Sequence, residues 1–175
     1  MTESTKVSIF ETAVMPHLDA AYSLARWLTR NPQDADDVVQ EAFLRAFTYF
    51  EKFDGTDGRA WLLSIVRNTC YTWLRKNRSQ ELMTYFDERL HRPPQEDPDP
   101  EGLQLKRVES VKLHECISRL PVEFREVLIL RDVEDLSYKQ IAEVVELPIG
   151  TVMSRLSRAR RRVQECMSAS TDKES

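Results

Sequence analysis

The chain has 175 residues, 41% apolar and 31% charged, with a formal net charge of −4, a composition that suits one ordinary globular domain or two small ones. The negative total excludes a simple polycation, so a nucleic-acid role would have to rest on local basic patches. No apolar run approaches the ~18 residues of a membrane span, and residues 1–9 are polar with no signal-peptide core; a cytoplasmic chain without membrane insertion is expected.

Only four glycines and few alternating runs point to an all-α fold. Residues 10–30 place Val14, Leu18, Ala21, Tyr22, Ala25 and Leu28 at helical spacing, and Asn31 with Pro32 ends that segment. A second helix is predicted over residues 34–50. Asp34, Asp36 and Asp37 in its first turn suit the positive end of the helix dipole, and Val39, Phe43, Phe47 and Phe50 form its apolar stripe. Its outer face carries Asp37, Gln40, Glu41, Leu44 and Thr48. A leucine exposed among carboxylates suggests a protein-docking surface. After a polar loop, FDGTDG at residues 53–58, a third helix is predicted over 59–78, with Leu62, Ile65, Val66, Thr69, Cys70 and Trp73 inward. Another face presents Arg67, Tyr71, Arg75 and Arg78 at i, i+4, i+8 and i+11, beside Asn68, Thr72 and Lys76. Charge, ring and amide on one face suit single-stranded nucleic acid. Taken alone, both outer faces also read as ordinary solvated surface.

Composition changes at residues 87–101, DERLHRPPQEDPDPE. Pro93, Pro94, Pro98 and Pro100 forbid a regular helix, and the acidic residues offer nothing to bury. The chain therefore divides into an N-terminal domain (1–86), a flexible acidic linker (87–107), a C-terminal domain (108–168) and a polar tail (169–175). In the C-terminal domain, residues 108–120 would turn Val111, Leu113, Ile117 and Leu120 inward. A helix over 121–132, opened by Pro121, would bury Phe124, Val127 and Leu128. Ser137 and Gln140 have the spacing of a capping box and start a short helix, 138–145. Glu146, Leu147 and Pro148 make the turn, and a last helix runs to about residue 166.

Residues 137–162 thus form a helix-turn-helix. Arg155, Arg158, Arg160, Arg161 and Arg162 crowd its second helix, with no acidic residue between positions 148 and 164. An anionic partner accounts for that concentration, because neutralised phosphates release their counterions. The first turn, from Ile149 to Ser154, would enter the major groove. Thr151 and free backbone N–H groups would hold phosphate there, and Ser154, Arg155 and Arg158 would reach base edges.

Catalysis and metal binding find no support. His17, His91 and His114 are scattered, with no nucleophile–base or ligand spacing. His114 and Cys116, two apart on a predicted helix, point in different directions. Cys70, Cys116 and Cys166 are odd in number and far apart; they are expected to be plain core or surface thiols, not a disulfide framework or a zinc site. Neither a cofactor nor enzymatic activity is expected.

Three stretches together resemble a known family. NPQDADDVVQEAFLRAF (residues 31–47) looks like sigma region 2.2. AWLLSIVRNTCYTWLRKNR (60–78) looks like regions 2.3 to 2.4. The segment from 120 to 163, with the pattern PxGTVxSRLxRAR at 148–160, looks like region 4. In that order the chain resembles the extracytoplasmic-function (ECF) sigma factors of bacterial RNA polymerase, group 4 of the sigma-70 family. The resemblance implies two small helical domains and a transcription-initiation subunit that recognises −35 and −10 promoter elements and promotes melting. It implies that Asp37, Gln40, Glu41 and Leu44 grip the coiled coil of the polymerase β′ subunit, within a core enzyme whose β subunit is a further partner. Phe53 and Asp54 lie in the loop that receives a flipped-out base, and Asn68, Tyr71, Arg75, Lys76 and Arg78 would follow the −10 strand. Thr151, Met153, Ser154, Arg155, Arg158 and Arg161 would meet the −35 element. The linker would thread toward the active-site cleft and RNA exit path, and an anti-sigma factor is an implied partner. Met153 stands where many relatives carry a basic residue; its thioether cannot bond a guanine edge, so the −35 preference is expected to differ. The other function considered is a helix-turn-helix regulator with a helical sensor domain.

Overall fold

A computed structural model describes residues 2–77 and 102–172. Arg78, His91, the four prolines and the end of the tail lie outside the described residues. Among the described residues all regular structure is helical. The N-terminal module comprises α1 (Glu3–Val14), α2 (Leu18–Thr29), α3 (Pro32–Thr48) and α4 (Gly58–Lys76). The C-terminal module comprises α5 (Gly102–Ser118), α6 (Val122–Leu128), α7 (Tyr138–Val145) and α8 (Ile149–Asp172).

The helix expected over residues 10–30 is two helices. Pro16 lies in a 3-10 turn, Met15–His17, because its ring has no N–H to donate. Helicity also begins earlier, at Glu3. Val14, Ala21, Leu24, Ala25 and Leu28 are buried, whereas Leu18 and Tyr22, expected inward, are exposed. At the next break Arg30 takes a left-handed conformation. Asn31 Oδ1 then accepts from the N–H groups of Gln33 (2.9 Å) and Asp34 (3.1 Å), capping α3 with Pro32 in its first turn. The α3 core positions are the smaller residues Ala35, Val38, Ala42 and Ala46, which let α2 and α4 pack closely. Phe10 of α1 meets Phe43, Phe47 and Phe50 edge-on at 6.3, 5.3 and 5.4 Å. Gly58 opens α4 against α1, where any Cβ would overlap the Ala13 carbonyl. Leu62, Leu63, Val66 and Cys70 of α4 complete this core. Each large apolar side chain fully buried here contributes about 1.5–3 kcal/mol.

In the C-terminal module α6 continues through a π turn, Ile129–Val133. Leu130, Leu136, Ile141, Val144, Val152, Leu156 and Ala159 are buried. Along α5, Cys116 and Ile117 pack inward, as does Leu120 just past its end, but Val111 and Leu113, expected inward, are each 43% exposed. Only the last turns of α5 lie against the core. The capping box is present: Gln140 N–H donates to Ser137 Oγ (3.1 Å) and Ser137 N–H to Gln140 Oε1 (2.9 Å). Ser137→Ala is expected to cost about 1 kcal/mol, read as a lower urea midpoint with an unchanged slope.

The expectation for the cysteines is overturned as well. Cys116 and Cys166 form a disulfide, with their Cα atoms 5.8 Å apart. Fifty positions separate them in sequence, but α5 and α8 pack side by side, so the fold joins what the spacing keeps apart. Cys70 alone is free and buried, as expected of a small core residue, and burial pushes its thiol well above the usual range.

Candidate nucleic-acid interface

The basic helix is positioned by its apolar face. Val152, Leu156 and Ala159 point into the core, which turns Ser154, Arg158 and Arg161 to solvent and leaves Thr151 and Arg155 half-buried. Met153 is 50% exposed and lines an open cavity of about 450 Å³ with Tyr138, Arg161 and Gln164. Not every arginine serves this face. Arg160 forms a two-point ion pair with Asp132 (2.6 and 3.2 Å), which holds its guanidinium above the ordinary range. The Arg162 guanidinium lies 4.5 Å from the Phe124 ring centre. These two fasten α8 to its own module. The positive charge turned outward is therefore that of Arg158 and Arg161, with Arg155 half-buried beside them.

On α3 the inward stripe of Val38, Ala42 and Ala46 leaves Asp37, Gln40, Glu41, Leu44 and Thr48 on the outer face. Leu44 is 70% exposed, the most exposed large apolar residue among those described. Glu41 is tied to Arg45 at 2.7 Å, an exposed pair worth only a few tenths of a kcal/mol.

The residues of α4 expected to meet the −10 strand divide. Asn68, Arg75 and Lys76 are exposed. Arg67 and Tyr71 are not free: Arg67 lies 4.0 Å over the Tyr71 ring and donates to Glu126 of α6 from Nε (2.9 Å) and Nη2 (3.3 Å). Burial, and then the Glu126 carboxylate, pushes the Tyr71 phenol above its usual range. Phe53 is half-buried, stacked on Phe50 (5.6 Å) and tilted against Trp61 (5.1 Å). Asp54 is exposed and accepts from the Thr56 hydroxyl (2.7 Å) and N–H (3.0 Å); these bonds, the hydroxyl's first, lower its carboxyl pKa. Arg78 lies outside the described residues.

Sequence reasoning missed Arg125 and Glu126. Both are fully buried, although Val127 and Leu128 beside them were expected inward. Arg125 Nη1 donates to the carbonyls of Ser118 (3.2 Å) and Leu120 (2.8 Å), and Nη2 reaches the carbonyl of Leu28 (3.3 Å). Burial raises the Glu126 pKa despite Arg67, and Arg155 adds a smaller opposing effect. A charged pair set directly against the apolar run from Val127 to Leu130 was the available signal. No group of three or more potential metal ligands occurs among the described residues, and no described helix is long and apolar enough to cross a membrane.

Comparison with known proteins settles the family. Residues 13–80 match Sigma-70 region 2, and residues 110–163 match Sigma-70 region 4. The chain is 33% identical to the ECF RNA polymerase sigma-E factor of Haemophilus influenzae, over 81% of this chain and 77% of that protein. It is 30% identical to the RNA polymerase sigma-H factor of Pseudomonas aeruginosa, over 90% of this chain and 86% of that one. The chain belongs to the ECF sigma factors. An ECF sigma factor of Mycolicibacterium smegmatis, SigE, is 33% identical over 89% of this chain, which spans 60% of that relative's length. Among solved structures, the sigma factor RpoE in complex with the anti-sigma factor NepR from Bartonella quintana superposes with a TM-score of 0.68 at 28% identity, covering 91% of this sigma factor and 96% of that chain. CnrH in complex with the cytosolic domain of CnrY gives 0.66 at 25%, covering 91% and 88%. In the family's terms, α2 to α4 fall within the region 2 match of this sigma factor, and α6, α7 and most of α8 within the region 4 match.

Proposed function

We propose that this ECF sigma factor docks on the β′ subunit of core RNA polymerase through Asp37, Gln40, Glu41 and Leu44. Region 4 then meets the −35 element with Thr151, Met153, Ser154, Arg155, Arg158 and Arg161. Region 2 holds the −10 strand with Asn68, Tyr71, Arg75, Lys76 and Arg78, and a base extruded from the stack enters the loop around Phe53 and Asp54. Extrusion costs a few kcal/mol of stacking, and the ring cluster of Phe50, Phe53 and Trp61 supplies an apolar floor that offsets part of it. The chain performs no catalysis of its own in this scheme. It works in the cytoplasm, where its polymerase is. One solved relative is in complex with an anti-sigma factor and the other with the cytosolic domain of CnrY, and the first of these supports an anti-sigma partner here.

The outward face of α8 carries the conclusion: an intact capping box sets the first helix, and Ser154, Arg155 and Arg158 leave the core together. Run-off transcription with core polymerase on genomic fragments, followed by start-site mapping, tests it. Initiation from a defined promoter class is expected; purified protein that forms no complex with core polymerase would sink the proposal. Arg158→Ala should weaken promoter binding by about 1–3 kcal/mol, roughly 5- to 150-fold. Its affinity for core polymerase should stay unchanged, since Arg158 is exposed on the far module.

A further inference from the structure

The sulfur atoms of the chain are unequally open to solvent. Cys116 and Cys166 are joined to each other. Cys70 is buried, and burial pushes its thiol well above the usual range. Met167 is half-buried. Among the described residues two thioethers stand well exposed, Met15 at 43% and Met153 at 50%. Met15 lies in the 3-10 turn between α1 and α2, far in sequence from the helix-turn-helix. Met153 lies in the first turns of α8, in the lining of the open cavity of about 450 Å³. That lining is apolar at Leu156 and the Tyr138 ring. It is polar at Ser157, Arg161 and Gln164, all exposed, which bring a hydroxyl, a guanidinium and an amide. Ser157 and Arg161 follow Met153 at i+4 and i+8, on one side of the helix.

We propose that Met153 is an oxidation site, and that its sulfoxide, formed by a peroxide, changes which base region 4 accepts at one position of the −35 element. This rests on the function proposed above. The thioether sulfur attacks one peroxide oxygen; the O–O bond breaks, an S–O bond forms, and the second oxygen leaves as water with both protons. Sulfur loses two electrons and the peroxide gains them. No acid or base from the protein takes part, so exposure decides which thioether reacts. The product differs in kind from the reactant. A thioether packs on apolar groups, and the apolar group on a base edge in the major groove is the thymine methyl. A sulfoxide oxygen is a hydrogen-bond acceptor. It accepts from the exocyclic N–H groups of adenine or cytosine, or from the Ser157, Arg161 and Gln164 donors of its own cavity. Either way the fit to a methyl is lost. An arginine or lysine at this position would be inert to peroxide; the thioether is what carries the sensitivity. The change is reversible, because methionine sulfoxide is reduced by dedicated reductases.

The full chain, with its disulfide formed, is treated with hydrogen peroxide, freed of it, and assembled with untreated core polymerase. Peptide mass spectrometry should find sulfoxide at Met153 and Met15 before Met167. Run-off is then read against promoter concentration, on the mapped promoter and on copies in which each −35 thymine in turn is replaced by uracil, which lacks only the methyl. Untreated protein should prefer thymine to uracil at one position. Peroxide should raise the promoter concentration for half-maximal run-off roughly tenfold and abolish that preference. Methionine sulfoxide reductase should restore both. Met15→Leu should respond to peroxide as wild type does, whereas Met153→Leu, whatever its own promoter affinity, should not respond. Four results would overturn the proposal: a Met153 that resists peroxide, no thymine preference before treatment, a promoter curve unchanged by oxidation, or a Met153→Leu protein as sensitive as wild type. Loss of helical circular dichroism on oxidation would trace the effect to unfolding and overturn it too. Untreated run-off separates the two proposals. Initiation indifferent to peroxide removes this inference alone; no initiation from any fragment removes the proposed function.

Discussion

Leu44→Ala is expected to weaken the complex with core polymerase by about 2 kcal/mol, roughly 30-fold in Kd, while leaving the isolated chain's thermal unfolding unchanged. Leu44 is 70% exposed on the outer face of α3, so its side chain contributes little to the fold. Alanine is the better helix former, and the hydrogen bond from the Thr48 hydroxyl goes to the backbone carbonyl of Leu44 (2.8 Å), which the substitution keeps. Water leaves that side chain only when a partner covers it, so its truncation reports docking and nothing else. Fluorescence anisotropy of labelled protein titrated with core polymerase measures the loss. An unchanged Kd would remove α3 from the docking surface. Promoter DNA read in an already saturated complex should show no defect, which separates docking from recognition.

Breaking the Cys116–Cys166 bond is expected to lower the stability of region 4 by about 4 kcal/mol. That is the chain-entropy value for a closed loop of about 50 residues. The loop encloses all of α6 and α7 and most of α8, so its constraint on the unfolded chain acts on the whole helix-turn-helix. In urea, oxidised wild type should unfold at a clearly higher midpoint than Cys116→Ser, and reduced wild type should fall to the level of the variant. A midpoint indifferent to reductant would remove the bond as a stabilising element. Alkylation of the native chain supplies a second check. Without reductant no thiol should react, because Cys70 is buried with its thiolate disfavoured. With reductant Cys116 and Cys166 should react, and Cys70 only after unfolding. Since reducing compartments keep such pairs as thiols, the reduced protein is the form to compare with transcription.

The contrast between the two modules shows what local pattern can carry. The Ser137 capping box, the break at Asn31 and Pro32, and the outward set on α3 were legible because each depends on neighbours within one or two turns. So was the face of Ser154, Arg155 and Arg158, which a 3.6-residue period determines. Contacts made across the fold were not legible. The disulfide needs α5 and α8 side by side, and no spacing rule encodes that. Arg160 and Arg162 looked like free charge until Asp132 and Phe124 were placed beside them. Val111 and Leu113 are exposed because only one end of α5 meets the core, a matter of packing that periodicity cannot see. Arg67 was read as part of an open basic face, and its pairing with Glu126 depends on how the modules meet.

Gln140 sits at a junction with a bearing on how such chains can be rearranged. Its amide oxygen serves the start of α7, while its amide nitrogen serves Asp57. Asp57 in turn completes the start of α4 through the Ala60 N–H (3.0 Å). Each helix start is satisfied within its own module, and the bond between them is additional to both. Exchanging one module for that of a relative should therefore leave neither helix frayed. A transplanted region 4 that begins the first helix of its helix-turn-helix with Ser-x-x-Gln would bring along its half of the junction. Chimaeras of that kind would inherit promoter preference from one parent and the strength of the inter-module contact from the match between both.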